Sequence, residues 1–427
     1  MKKVVSIVGR LLVQLVVSVI IGTVLLTLAY MLPVDSIEKN VASSAEVIAE
    51  EGGYPVLISG WTSRLDNWTD AIMMMEAAYS GEESALLQAM NAKHYVMKGY
   101  DPNDVLVKHY VHHEDYEGAA PYARYWHGYQ IFIKPLFMMM DYGKIRILNG
   151  GVQLMLVIIV TILFMQRKMA LYSIPYLLSY GLLMPIALAK SLQFSSCFYI
   201  FTVGTIVLLL LKDKLEKNYL YLYVFFALSI ATAYFDFLTY PITTFGIPAT
   251  VYISMRENKN MKSTLIRLVQ MLFVWGFGYI GMWAGKWIVG SVITGNDVIL
   301  DALNSVAIRS GHERGSGEAL SVFQSIGWNI GTFLKSPFIV TIILFLLYML
   351  MRIKIEYKDY DKKRNLIIII PYIAISILPI VWYGFTVNHS TIHCFFTNKA
   401  CVVTAFSGMC ALVKVYQTMK NESGRGL

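Results

Sequence analysis

The chain has 427 residues, 56% of them hydrophobic and only 15% charged, against about 25% charged in a typical soluble domain. That balance excludes a protein bathed in water on all sides. The formal charge of +8 does not mark a nucleic-acid binder, because the excess sits in short segments between apolar runs, as it does around membrane spans.

The N-terminus reads Met1, Lys2, Lys3, then Arg10, then Leu11 to Leu32 without a charge. A secretory h-region is only about 7–15 residues long, so this run is expected to be an uncleaved first span. Further apolar runs predict spans over 148–165, 169–188, 194–211, 218–235, 239–255, 265–287, 337–351, 365–384 and 400–417, about ten in all. With the N-terminus inside, the inward segments hold 21 of the 36 Lys and Arg residues. This positive-inside bias puts both termini in the cytoplasm.

The expected fold is all-α and polytopic. After the first span (1–32), residues 33–147 form a large extracytoplasmic loop with 16 acidic and nine basic residues. Glu38 to Glu51, Asp66 to Met75 and Ser84 to Met97 read as helices within it. Tyr122 to Met140 carries four aromatic rings and then a ten-residue apolar run too short to span. Rings prefer the headgroup zone, so this stretch is expected to be an interfacial or re-entrant helix. Residues 148–287 hold spans two to seven, and 288–336 form a second outward loop with a helical piece around Asp297 to Ile308. Residues 337–427 hold the last three spans and a cytoplasmic tail. Cys197, Cys394, Cys401 and Cys410 form no CxxC pair and read as small core residues.

In this topology all eight histidines lie outside, so an active site would face outward. The sharpest candidate is Asp66 with Asp70. Four apart on a helix, they share a face and suit a general base whose pKa is raised by desolvation. Their alternative role is a helix start, with Asp66 as cap and Asp70 solvated. Arg124, Trp126 and His127 suit a lipid phosphate at the interface, or an aromatic anchor with a snorkelling Arg. His389 and His393, four apart, with Lys399 further on, suit a substrate or phosphate contact better than zinc, since no third ligand is identifiable. Arg309, His312 and Arg314 have a spacing fit for pyrophosphate, or form a solvated cluster. Asp236, between two apolar runs, is either a turn cap or a substrate contact.

These features resemble the GT-C glycosyltransferases, multispan enzymes that take a sugar from a polyprenyl-phosphate carrier at the outer face. The likeness lies in aspartates in a large first outward loop, an aromatic segment before the second span, and further polar outward loops. Tyr122 to Asn149, Phe235 to Pro248 and Asn388 to Lys399 resemble segments of multispan proteins of Gram-positive bacteria. Many GT-C members carry an adjacent Asp-Glu or Asp-Asp pair soon after the first span; this chain has none there, and Asp66 lies well past it. The resemblance implies an inverting transfer at the bacterial cytoplasmic membrane, from a polyprenyl-phosphate-linked sugar to a cell-envelope glycan or lipid acceptor. In it Asp66 or Asp70 is the base, or with Mg2+ or Mn2+ a metal ligand. Arg124, His389 or the Arg309–Arg314 cluster holds the departing phosphate. A flippase of lipid-linked saccharide and a non-catalytic envelope-assembly protein are the alternatives. No charge is expected mid-span, which argues against ion-coupled transport.

Overall fold

Hydrocarbon offers backbone polar groups no partner, so an apolar run satisfies them internally by coiling. A computed structural model of the chain describes residues 2–58, 60–256, 260–311, 319–356 and 362–423. It is a helical, multi-pass membrane architecture.

The first helix, α1 (Lys2–Tyr30), leads into a loop domain of α2 (Asp35–Glu51), α3 (Asn67–Ala78), α4 (Ala85–Asn91), α5 (Pro102–Tyr110) and α6 (Gln130–Met139). Two short strands, β1 (His94–Val96) and β2 (Gly118–Ala120), pair antiparallel with His94 opposite Ala120. The predicted helix over Ser84 to Met97 therefore ends early, at Asn91, where Ala92 turns with φ 45° and β1 begins. The ten-residue apolar run forms α6, which buries Ile133, Lys134 and Phe137 against its neighbours.

The bundle continues with α7 (Tyr142–Gln166), α8 (Ala170–Leu182), α9 (Pro185–Lys190), α10 (Leu192–Leu210), α11 (Leu220–Phe235), α12 (Thr243–Met255) and α13 (Met261–Thr294). Helices α14 (Val298–Ser310) and α15 (Val322–Leu334) follow on the loop side. Then come α16 (Ile339–Glu356), α17 (Lys362–Ser376), α18 (Leu378–Phe385), α19 (Val387–Ile392), α20 (Cys394–Thr397) and α21 (Val402–Ser423).

Among the described residues seven helical segments are long and apolar enough to cross a bilayer, and α15 with α16, bent by 85°, makes an eighth candidate. Two of the ten expected runs differ. The run over 169–188 breaks at Met184, which takes φ 59° before Pro185. The run over 239–255 yields only 13 residues of helix, α12, about 20 Å long. Nearly all of α12 is buried, so its apolar residues fill the bundle interior instead of facing lipid.

Burial separates core from rim. The apolar stretch of α10 is 72% buried and that of α1 only 17%, leaving Val13 and Val16 on an apolar outer face. Helix α13 packs closely through small residues. A Cβ on Gly281 would lie 2.6 Å from Leu15 of α1, and one on Gly285 would collide with Val19. The opposite face of α13 carries Tyr279, Trp283 and Trp287, and it forms one wall of the site described next.

Candidate functional site

Asp66 precedes α3 and caps it. One carboxylate oxygen accepts from the Thr69 N–H at 3.1 Å and the other from the Thr69 hydroxyl at 2.9 Å. The side chain is almost wholly buried, and burial pushes its pKa up to about 7, with Asp70 adding to the rise. Asp70 is not solvated. It lies one turn on, fully buried, and accepts from the Leu192 N–H at 2.9 Å, the Gln193 N–H at 3.1 Å and the Tyr142 hydroxyl. It thereby supplies an N-terminal acceptor to α10, a helix 122 residues away in sequence. Burial raises its pKa to about 6 against the pull of those donors. Because N–H and O–H donors already face these oxygens, the pair does not fit a divalent cation. No cluster of three or more His, Cys, Asp and Glu gathers elsewhere among the described residues.

The cationic residues lie around a cavity of about 180 Å³ between α13 and α14 on the loop side. Arg124, Tyr125, Tyr279, Trp283, Trp287 and Arg309 line it, with Leu238. The Arg124 guanidinium lies 4.6 Å from the Tyr122 ring centre and 5.7 Å from that of Tyr125, and Arg309 stands 5.4 Å from Tyr125. Arg124 pairs with Asp301 at 3.2 Å. Among the described residues no carboxylate pairs with Arg309. Arg124 Nε is buried without a hydrogen-bond partner among the described residues, and the Tyr279 hydroxyl and the Trp283 indole N–H are buried beside each other in the same wall. A mostly apolar cavity walled by rings, with two guanidiniums among its lining, suits an apolar body that carries an anion. Its lining includes Ile280, which is 67% exposed on an apolar outer face.

Other candidates pack near this wall. His389 Nε2 donates to the Leu238 carbonyl at 2.8 Å, and His393 lies 4.8 Å from His389, ring to ring, and stacks on Phe396. Burial lowers the pKa of both, that of His393 to about 4, with Arg309 adding to the fall. They are neutral at pH 7 and act as hydrogen-bonding groups. Lys399 is buried, donates to the Thr62 carbonyl at 3.2 Å and lies over the Phe194 ring. This ties the 389–399 segment to the turn that precedes Asp66. In the same turn the Arg64 guanidinium lies 4.4 Å from the Tyr54 ring centre and 4.8 Å from that of Phe395.

Three other sequence candidates are held inside. Trp126 is fully buried and donates to the Met282 carbonyl at 2.8 Å. His127 takes φ 55° and bonds the Tyr129 hydroxyl and the Tyr122 carbonyl. Asp236 is bonded by the N–H and hydroxyl of Thr239, which makes it a turn cap. His312 and Arg314 lie outside the described residues.

Sequence reasoning missed Glu76 and Asp301. Glu76, fully buried, accepts from Tyr129 at 2.7 Å and Gln130 at 3.1 Å and lies 3.0 Å from His127 Nδ1. Its signal was a lone acid inside Met73-Met74-Met75-Glu76-Ala77-Ala78. The aromatic wall was also readable, as Tyr279, Trp283 and Trp287 recur every four residues. Compared with known protein families, curated proteins and solved structures, the chain matches none.

Proposed function

We propose that the protein transfers a sugar from a polyprenyl-phosphate carrier to a cell-envelope acceptor, with the loop domain at the outer face of a bacterial cytoplasmic membrane. The observation that carries this reading is the aromatic, cation-lined cavity between α13 and α14. Arg124 and Arg309 hold the lipid phosphate there, and the rings accept the first isoprene units.

Asp66 is the base in this scheme. A carboxyl with a pKa of about 7 is partly ionised at neutral pH, the range that favours proton abstraction. Each of its oxygens keeps a second lone pair free of Thr69. Close by, Trp61 and Tyr54 are part-exposed, and rings of this kind stack on the apolar faces of sugars. Asp70, locked onto α10, positions α3 and carries no proton in the reaction.

The test is transfer from a panel of polyprenyl-phosphate hexoses by the purified protein in lipid nanodiscs. Wild type transfers and Asp66→Asn does not, while both unfold cooperatively as folded proteins. Transfer that survives in Asp66→Asn removes Asp66 from the scheme.

The second reading is a non-catalytic assembly protein. The donors already satisfying Asp66 and Asp70 favour it. It predicts lipid-phosphate binding with no turnover on any donor.

A further inference from the structure

A helix at a water surface turns its apolar residues inward and its polar ones out. Helix α15 does the reverse. Its inner side is polar, with Ser325, Asn329 and Thr332 buried at helical spacing. Its outer side is apolar. Phe323 is 87% exposed and Leu334 54%, Trp328 stands on the flank, and no charged residue lies between Val322 and Leu334. The next helix fixes how α15 lies. Helix α16 has 18 residues, so it is about 27 Å long, close to the hydrocarbon thickness of about 30 Å. It turns Val340, Ile343, Leu344 and Leu347 outward. With α16 upright in a bilayer, the 85° bend between the two helices lays α15 nearly flat along the membrane. Helix α15 also packs against the Trp61–Ser63 turn, which places it on the loop-domain side.

We infer that α15 is a membrane-surface helix: acyl chains of the leaflet on the loop-domain side cover its apolar face, and its polar face holds the His389–Lys399 segment at that level. The apolar face runs on into the outward rows of α16 across the short break at 335–338, so one medium touches both. This continuity selects lipid over a second protein chain. Lys335, exposed at the break, has the reach to snorkel to the headgroups. On the inner side, Asn329 donates to the Ser390 carbonyl at 2.7 Å and accepts from the Thr397 hydroxyl at 2.7 Å. Ser390 follows His389, and Thr397 stands two residues before Lys399. Asn, Ser and Thr side chains join helices in this way where hydrocarbon, not water, lies outside. One amide thus links the lipid-seated helix to the histidines and, through the Lys399 bond to the Thr62 carbonyl, to the turn before Asp66. This seating is independent of what the cavity beside α13 binds.

The test is spin labelling of Phe323→Cys and Leu334→Cys in the full-length protein, in nanodiscs of phosphatidylcholine. The native cysteines are buried, and wild type treated in the same way supplies the background. Oxygen concentrates in hydrocarbon and a nickel chelate stays in water, so their collision rates with the label report the medium. At both positions the oxygen-to-nickel accessibility ratio is expected to match that of Ile343→Cys on α16 and to stand well above that of Glu46→Cys, on the exposed side of α2. A ratio as low as at Glu46 puts α15 in water and overturns the inference. Exclusion of both reagents puts a second chain on the face and overturns it as well. Asn329→Ala reads the link to the histidine segment. A label at Ile392→Cys is expected to gain mobility in that variant while the ratio at 323 is kept, and Thr397→Val, the milder change, is expected to give part of the same gain. Mobility at 392 that neither variant alters removes the link.

Discussion

The carboxylate of Asp70 accepts a 2.9 Å hydrogen bond from the backbone N–H of Leu192. One buried acid in the loop domain thus closes the first turn of the most buried span. Arg146 extends the junction. It bonds the Tyr142 hydroxyl that donates to Asp70, and it pairs with Glu51 at 2.8 Å. The loop domain and the bundle are therefore joined by polar contacts, fully buried at Asp70 and part-buried at Glu51.

Replacing Asp70 by Ala should leave the Leu192 and Gln193 N–H groups and the Tyr142 hydroxyl without their acceptor. A loss of about 3–5 kcal/mol is expected for breaking such a buried charged contact. Asp70→Asn keeps one acceptor oxygen and should lose about 1–3 kcal/mol. Thermal unfolding in detergent distinguishes them; an Ala variant as stable as wild type would show that the α10 cap carries no weight.

Asp66 sets a pH dependence whose sign follows from its environment. Its pKa rises from 3.8 in the unfolded chain to about 7 in the fold. Its contribution is therefore complete below about pH 4 and is lost as pH rises toward 7. Asp70, at about 6, acts in the same direction over a narrower range. Unfolding temperature should fall between about pH 4 and pH 7. Asp66→Asn keeps a good N-cap and should flatten that slope. An unchanged slope would assign the dependence to other groups.

Glu76 is the buried partner of His127, Tyr129 and Gln130. Lys134 and Lys286, buried nearby, donate to the carbonyls of Ala77 and Met90. Glu76→Ala removes the one carboxylate of this group and should destabilise by about 3–5 kcal/mol. Glu76→Gln, which keeps the shape, should be milder. Expression and unfolding of both variants, side by side, make the comparison.

Gly128 donates to the Tyr234 carbonyl at 3.0 Å, and a Cβ there would lie 2.6 Å from that same oxygen and collide with the Tyr234 ring. Gly128→Ala should therefore push the Tyr122–Gln130 turn off α11 and lower stability by about 1–3 kcal/mol. The turn carries Arg124, so anionic-lipid binding should fall with it. An Ala variant that unfolds like wild type would mean that the turn yields easily.

The multi-pass helical class was legible because hydrocarbon length writes itself into uncharged runs. The number of spans was less so. Met184-Pro185 interrupts a run that hydropathy reads as continuous, whereas the turn at Tyr240-Pro241 was legible from its proline, and α12 is apolar because it is interior. Asp66 as a cap was readable from Asp66 and Thr69, three residues apart. The partner of Asp70 was not, since nothing local points from residue 70 to residue 192. Arg124 and Arg309 were singled out separately, but their meeting across Tyr125 depends on how α14 folds back on α13. Asp301 was invisible for the same reason, as a lone acid on a surface helix carries no signal until its partner is known.

Helix α13 has 34 residues, which at 1.5 Å each makes a rod about 51 Å long, while the hydrocarbon layer is about 30 Å thick. A rod of that length must lean or stand proud of the bilayer, and hydrophobic mismatch decides how much. Its last turns bear Tyr279, Trp283 and Trp287, and α14 folds back on it after the turn at Gly295, φ 71°, with the Val298 N–H donating to the Ser291 hydroxyl at 3.1 Å. A thinner membrane is expected to lean the rod further, and the aromatic wall of the cavity, being part of that rod, leans with it.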